Sequence, residues 1–457
     1  MSRISRVTVP ILALALALSA AVVPASAETR EPAEDRQALW ITPFEGDRPY
    51  DSHVYGTGVV LDPTSGDVFA ARYDDDFDER IRVSRLDGET GSSEWEIGLG
   101  PDKESDLADL AIDPAGQRIV LVSALRSGAV VHSLDLQGTV QWSVPLSARE
   151  CEGPCRGAGT LQDVEVNPRT GTACVTRVSK ASAKWGTPTA WRLDCVDRNG
   201  ATVMNREFRH GGADSGDTAL AVDPTRNRWY LAGAHLKGGD TRTVLLAFRE
   251  GRERVWRRTR DLRGTTKTTD VTLAVDTASH RIHVAGHHSA GAHRGNRITL
   301  VSWSATGHRK ADRAWRAERA HRAHRAHRAE AIAVDPRSHR IFVAAAGTYA
   351  NTVRVRVMRA NGKPIRTIKH TRGETDVAQI EIDPKRRLVL IGARTVAAYT
   401  WNGTKVWQDA TRMWFDELVA YRAESAAYDQ ERGRLVVGWS HNDDPAPDTY
   451  VSGWQVG

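Results

Sequence analysis

One pattern returns along almost the whole chain and constrains its fold more than any other feature. It is a short apolar run ending in Asp-Pro or a close variant, then a polar turn, then a second β-branched run. The anchor residues are Asp62, Asp113, Asn167, Asp223, Asp276, Asp335, Asp383 and Asp429, spaced 51, 54, 56, 53, 59, 48 and 46 residues apart. Aspartate suits such a turn because its carboxylate accepts from the backbone two residues on, while proline presets φ. A unit of this size cannot bury a core by itself, so the copies must pack against one another.

Within a copy the order is constant. In the second, residues 110–112 give strand a, 118–122 strand b, 129–134 strand c and 140–142 strand d, with Gly138 turning c into d. Trp142 follows Gly138 by four residues, Trp95 follows Gly91 and Trp407 follows Gly403 by the same interval, and Trp256 follows Gly251 by one more. An indole on each outer strand would bury a large apolar area between neighbouring sheets. The last copy supplies strands a to c (425–428, 434–439 and 449–456) but no strand d. The missing strand lies ahead of the first copy, at residues 37–41, where Trp40 precedes Asp62 by the same 22 residues that separate Trp407 from Asp429. Borrowing it removes both open edges of the array. The expected fold is therefore all-β: a single β-propeller of eight four-stranded blades over residues 37–457, closed by an N-terminal strand that completes the C-terminal blade, behind a flexible segment at 28–36.

Two stretches carry a family resemblance. Leu86-Asp87-Gly88-Glu89-Thr90-Gly91 followed by Trp95 resembles the tryptophan-docking repeat of the quinoprotein dehydrogenase and outer-membrane assembly-factor propellers. Asp217-Thr218-Ala219-Leu220-Ala221-Val222-Asp223-Pro224, leading to Trp229-Tyr230-Leu231-Ala232-Gly233, is similar to the bacterial β-propeller repeat. The resemblance covers residues 38–457 as architecture and implies a fold, not an activity. The quinone site of the dehydrogenases uses a vicinal cysteine pair, which this chain lacks, and pyrroloquinoline quinone is not expected as a cofactor.

The N-terminus carries Arg3 and Arg6, an apolar run over 7–23 and then Ala25-Ser26-Ala27, the pattern of a cleaved signal peptide over residues 1–27. A secreted product beginning near Glu28 is expected, with no lipoprotein cysteine at the cleavage point and no later apolar run long enough to span a bilayer. Four cysteines in an exported chain favour disulfides. Of the three pairings, Cys151 with Cys155 and Cys174 with Cys195 are preferred, the first as a local loop and the second as neighbours on adjacent strands. The balance of 63 Lys plus Arg against 57 Asp plus Glu is mildly basic. It does not reach the dense patches of nucleic-acid binders, and the run from Arg249 to Arg263 has no interleaved base-stacking set. A monomer is expected, with an extracellular or envelope ligand or protein as partner.

In a propeller the d-to-a and b-to-c loops emerge on one face around the channel mouth. Acids recur there: Asp106, Asp109, Asp163, Asp217, Asp270, Glu330, Asp376 and Glu424 at the blade entrances. Asp74, Asp75, Asp76 and Asp78 in the first blade face Asp443, Asp444 and Asp448 in the last. Clustered carboxylates suit a cation such as calcium or a cationic ligand, and the competing reading is repeated capping of backbone groups at each blade entrance. Serine chemistry finds no support at Asp214-Ser215-Gly216, whose flanks read as a turn. Histidine is concentrated late, in His280, His283, His287, His288 and His293 and then in the Ala-His-Arg copies from Ala320 to Arg328, whose arginines oppose a metal; His287 and His288, at the end of a b strand, are the better metal candidates. Two functions follow: a secreted non-enzymatic propeller binding through an acidic channel face, or an extracellular hydrolase, lyase or lactonase with a metal at the channel mouth.

Overall fold

A computed structural model describes residues 34–44, 54–74, 80–99, 106–125, 128–146, 160–180, 189–209, 215–237, 240–251, 254–262, 267–289, 297–316, 327–347, 350–370, 379–393, 395–409, 421–441 and 449–456. Their strands form eight antiparallel meanders, each a blade with strands a to d from the centre outward. The blades run 54–99, 106–146, 160–209, 215–262, 267–316, 327–370, 379–409 and 421–455, the last completed by Trp40–Phe44. The inner strands neighbour one another all the way round, the eighth against the first, so the ring is closed. Eight hydrophobic clusters fill the eight seams between successive blades.

The closing strand pairs antiparallel with Thr449–Gln455, Trp40 opposite Gly453 and Phe44 opposite Thr449, and it lies three residues later than the expected 37–41. Residues Glu34–Arg36, within the stretch read from sequence as a flexible segment, add a fifth, parallel strand to blade seven beside Trp407. Arg36 fixes it there: its guanidinium donates to the Gln455 carbonyl at 2.9 Å and sits 5.8 Å from the Trp407 ring centre. The chain therefore crosses the seam between blades seven and eight before entering blade one.

The turn chemistry is as the sequence implies. The anchors are buried and accept from backbone N–H groups two or three residues on, as Asp383 does from Lys385 and Arg386, both at 2.9 Å. Outer-strand indoles dock on the next blade: Trp40 Nε1 donates to Gly88 at 3.2 Å, Trp95 to Leu136 at 3.2 Å, Trp142 to Arg198 at 2.9 Å and Trp256 to Ala305 at 2.9 Å. Glycine is required beneath them, since a Cβ on Gly91 would lie 2.5 Å from the Trp40 ring. Cys174 and Cys195 are directly opposite on strands b and c of blade three and form the expected disulfide. Cys151 and Cys155 lie outside the described residues.

Candidate functional site

Strand a of each blade lines the channel, and a β-bulge decides which side chain it presents. In blades one to six and in blade eight the ladder between strands a and b slips near the entrance. In blades two and three the extra residue is Ala108 or Gln162, and Asp109 and Asp163 resume pairing just beyond it, opposite Val122 and Thr176. Asp217, Asp270, Glu330 and Glu424 fall within the slipped stretch itself. The acids that the sequence lines up thus occupy two kinds of backbone position. Asp106 pairs opposite Ala124 and Asp74 ends strand b of blade one, while Asp75, Asp76, Asp78, Asp376, Asp443, Asp444 and Asp448 lie outside the described residues.

Asp109 and Asp163 reach sideways to the following blade. Asp109 accepts from the Val164 N–H of blade three at 3.1 Å and from its own neighbour Leu110 at 2.8 Å. Asp163 accepts from the Leu220 N–H of blade four at 2.8 Å. In blade eight Ser425 does the same for Val59 of blade one at 2.9 Å, so the position is a polar bracket between inner strands, filled by carboxyls in two blades. The two carboxyls interact electrostatically with each other, and Glu165 stands close enough to interact with both.

Burial among the eight sheets governs their charge. Desolvation raises the Asp109 carboxyl, and it raises Asp163 well above the carboxylate range with further help from the charges of Asp109 and Glu165. Glu165 is pushed up to about 8 by burial and then by Asp109. Four blades away, across the ring, Glu381 is pushed up to about 7 by burial alone. Both glutamates sit two residues before their anchors, a position occupied in the other blades by Val60, Ala111, Ala221, Ala274, Ala333 and Ala427. At this position the inner strands are small and apolar except for two opposed glutamates, one of them beside the aspartate pair. The sequence reading missed Glu165 and Glu381. Aligning the copies on their anchors exposes them, because glutamate replaces alanine or valine there.

His287 and His288 are consecutive in strand b of blade five, and His287 is buried. His283, also buried, bonds Ser302 at 2.7 Å and is pushed down to about 4, chiefly by burial, so its ring is neutral. His280 is a turn residue bonding Asp223 of the preceding blade at 2.8 Å. Among the described residues only Asp67, Asp87 and Glu94 bring three potential ligand atoms within 4.8 Å of one another. Arg85 already occupies that spot, 2.5 Å from Asp67 and 2.9 Å from Glu94, supplying the cation itself.

No family model matches the chain, and no curated protein matches it in sequence. Among solved structures it is similar to the Dos1 propeller at 11% identity, with a TM-score of 0.53 over 91% of this chain and 95% of that one. It is also similar to the C-terminal WD40 domain of Sif2 at 8% identity, with a TM-score of 0.51 over 90% and 99%. The quinohemoprotein alcohol dehydrogenase ADHIIG from Pseudomonas putida HK5 matches at 12% identity, with a TM-score of 0.51 over 91% and 78%. At these identities the likeness establishes the β-propeller and nothing of its chemistry.

Proposed function

We propose that the protein is a secreted, non-enzymatic β-propeller that binds a cationic ligand or a partner's cationic group through its channel face. The observation that carries this reading is the convergence of Asp109, Asp163 and Glu165 on one stretch of inner wall between blades two and four. Burial raises all three carboxyls, Glu165 to about 8, so a cation entering the channel competes with protons and gains charged partners in a setting of low dielectric. A divalent ion such as calcium and a simple diamine are the two probes of that chemistry.

Binding to the folded state raises the melting temperature by mass action. The rise should be larger at pH 8.5 than at pH 6, because at the higher pH fewer protons compete. Asp163→Asn should abolish it if the inner wall is the site, whereas Asp75→Asn with Asp76→Asn should abolish it if the acidic run after strand b of blade one is responsible. Melting curves unmoved by calcium, magnesium and putrescine at both pH values would refute the reading and leave Asp109 and Asp163 as brackets between blades.

A further inference from the structure

The outer strands of neighbouring blades differ sharply in charge. Arg254–Leu262 of blade four exposes Arg254 and Arg257, Arg309–Arg316 of blade five exposes Arg309 and Arg313, and Pro364–His370 of blade six exposes Arg366 and Lys369. The acids on these strands are already engaged by arginine: Asp261 by Arg242 at 2.8 Å, and Asp312 by Arg260 at 2.6 Å and Arg309 at 3.0 Å. The Arg260–Asp312 bridge spans the seam of blades four and five, joining their edges into one surface. By contrast, the outer strand of blade one carries Glu94 and Glu96, and that of blade two, Val140–Leu146, has no charged residue.

The cations crowd one another. Arg257 is lowered from the usual arginine range, first by partial burial and then by the charges of Arg254 and Arg242. An anion placed there would relieve that repulsion. A strand rises about 3.3 Å per ladder step, and with bulges after Arg254 and Arg309 the pairs Arg254–Arg257 and Arg309–Arg313 stand two and three steps apart, roughly 7 Å along one edge and roughly 10 Å along the next. Repeated charge on a long flexible chain can meet such a row, and guanidinium groups favour the two-oxygen geometry of phosphate. Base recognition would need an open aromatic face. Among the described residues of these strands, Trp256 and His370 are buried and Trp315 is half-buried beneath Arg356, 4.8 Å from its ring centre.

We infer that the outer rim of blades four to six is a docking surface for a linear, base-free phosphate polymer, held by guanidinium–phosphate pairs along the outer strands of blades four and five. It is independent of the channel, so Asp163→Asn should leave it intact.

The test uses the purified protein and fluorescently labelled long-chain inorganic polyphosphate, with affinity measured by anisotropy across a salt series. The combined Arg254→Ser, Arg257→Ser and Arg313→Ser variant should bind at least about 10-fold more weakly, with the salt slope shallower by about one for each phosphate that no longer meets a guanidinium. The same three positions changed to Lys should bind more tightly than the serine triple but more weakly than the wild type, because the charge stays and the two-oxygen geometry is lost. Arg169→Ser, Arg337→Ser and Lys385→Ser, exposed cations in the a-to-b turns of blades three, six and seven, remove equal charge elsewhere and should have little effect. Thermal melts confirm that each variant is folded. Equal weakening by both serine triples, or no binding by the wild type in dilute salt, would overturn the proposal. Tighter binding of single-stranded DNA of matched charge than of polyphosphate would overturn its base-free character.

Discussion

On the inner wall, Asp109, Asp163 and Glu165 are packed among strands and shifted toward their protonated forms, and the two aspartates are hydrogen-bonded to the following blade. On the outer rim, Arg254, Arg257 and Arg313 are exposed on the outer strands. The formal net charge of +6 averages over these two regions and describes neither. The same repeat generates both environments, because strand a of every blade is enclosed by its neighbours while strand d meets water. Position along the radius, more than residue type, decides whether an ionisable group here acts as a neutral hydrogen-bonding group or as a fixed charge.

The largest effect should come from the rim's indoles. Trp40 is 8% exposed, donates to Gly88, packs against Gly91 and Gly453, and belongs to the strand that closes the ring. Trp40→Ala should cost about 3–5 kcal/mol, the usual range for truncating a buried aromatic, as measured by denaturant unfolding. A loss below about 1 kcal/mol would mean that the closing strand contributes little to cohesion.

The inner wall should answer to pH. Glu165 has a folded value of about 8 against 4.5 for the free side chain, so between these limits the native state holds a proton that the unfolded state has released. Its contribution to stability is complete below pH 4.5 and is lost as pH rises through 8. Allowing for residual access from the channel, the loss is on the order of 2–3 kcal/mol. Glu165→Gln should flatten that part of the profile, and coincident wild-type and variant curves from pH 5 to 9 would contradict the burial argument.

Glu381 sharpens the comparison at smaller scale. Its folded value of about 7 narrows the window to between pH 4.5 and 7, and burial alone shifts it. Glu381→Gln should therefore change stability by about 1–2 kcal/mol over that window. Combined with Asp163→Asn it should be additive, because the charge of Asp163 plays no part in its shift, whereas Glu165→Gln with Asp163→Asn should not be. Measured coupling between Glu381 and Asp163 would show that the wall behaves as one electrostatic unit.

The architecture was readable because it rests on local chemistry that repeats: an Asx turn at each anchor, a glycine four or five residues ahead of the outer-strand tryptophans, and a matched 22-residue interval at the two ends. The register of the acids was not. A one- or two-residue bulge at the entrance moves Asp217, Asp270, Glu330 and Glu424 out of step with Asp109 and Asp163, and no residue type marks that bulge consistently. The parallel strand at Glu34–Arg36 escaped for a related reason. Its pairing depends on a distant partner, Trp407 to Asp409, and on the single clamp from Arg36 to Gln455.

The smallest effects should fall on the rim's cations, and their smallness separates a surface kept for binding from one kept for stability. Arg254 and Arg257 are exposed and carry no carboxylate partner in the described structure, so Arg254→Ser and Arg257→Ser should each move the unfolding free energy by less than about 0.5 kcal/mol. Arg257→Ser should fall on the stabilising side at low salt, because it removes repulsion with Arg254 and Arg242. That gain should fade as salt screens the charges. Arg260 provides the internal contrast: it bridges blades four and five through Asp312 at 2.6 Å and is itself largely buried, so Arg260→Ser should cost about 1 kcal/mol or more. Urea unfolding of the three variants in low and high salt decides the matter. If Arg257→Ser destabilised as much as Arg260→Ser, the rim cations would be structural brackets like Asp109, and the radial division of roles would fail at its outer edge.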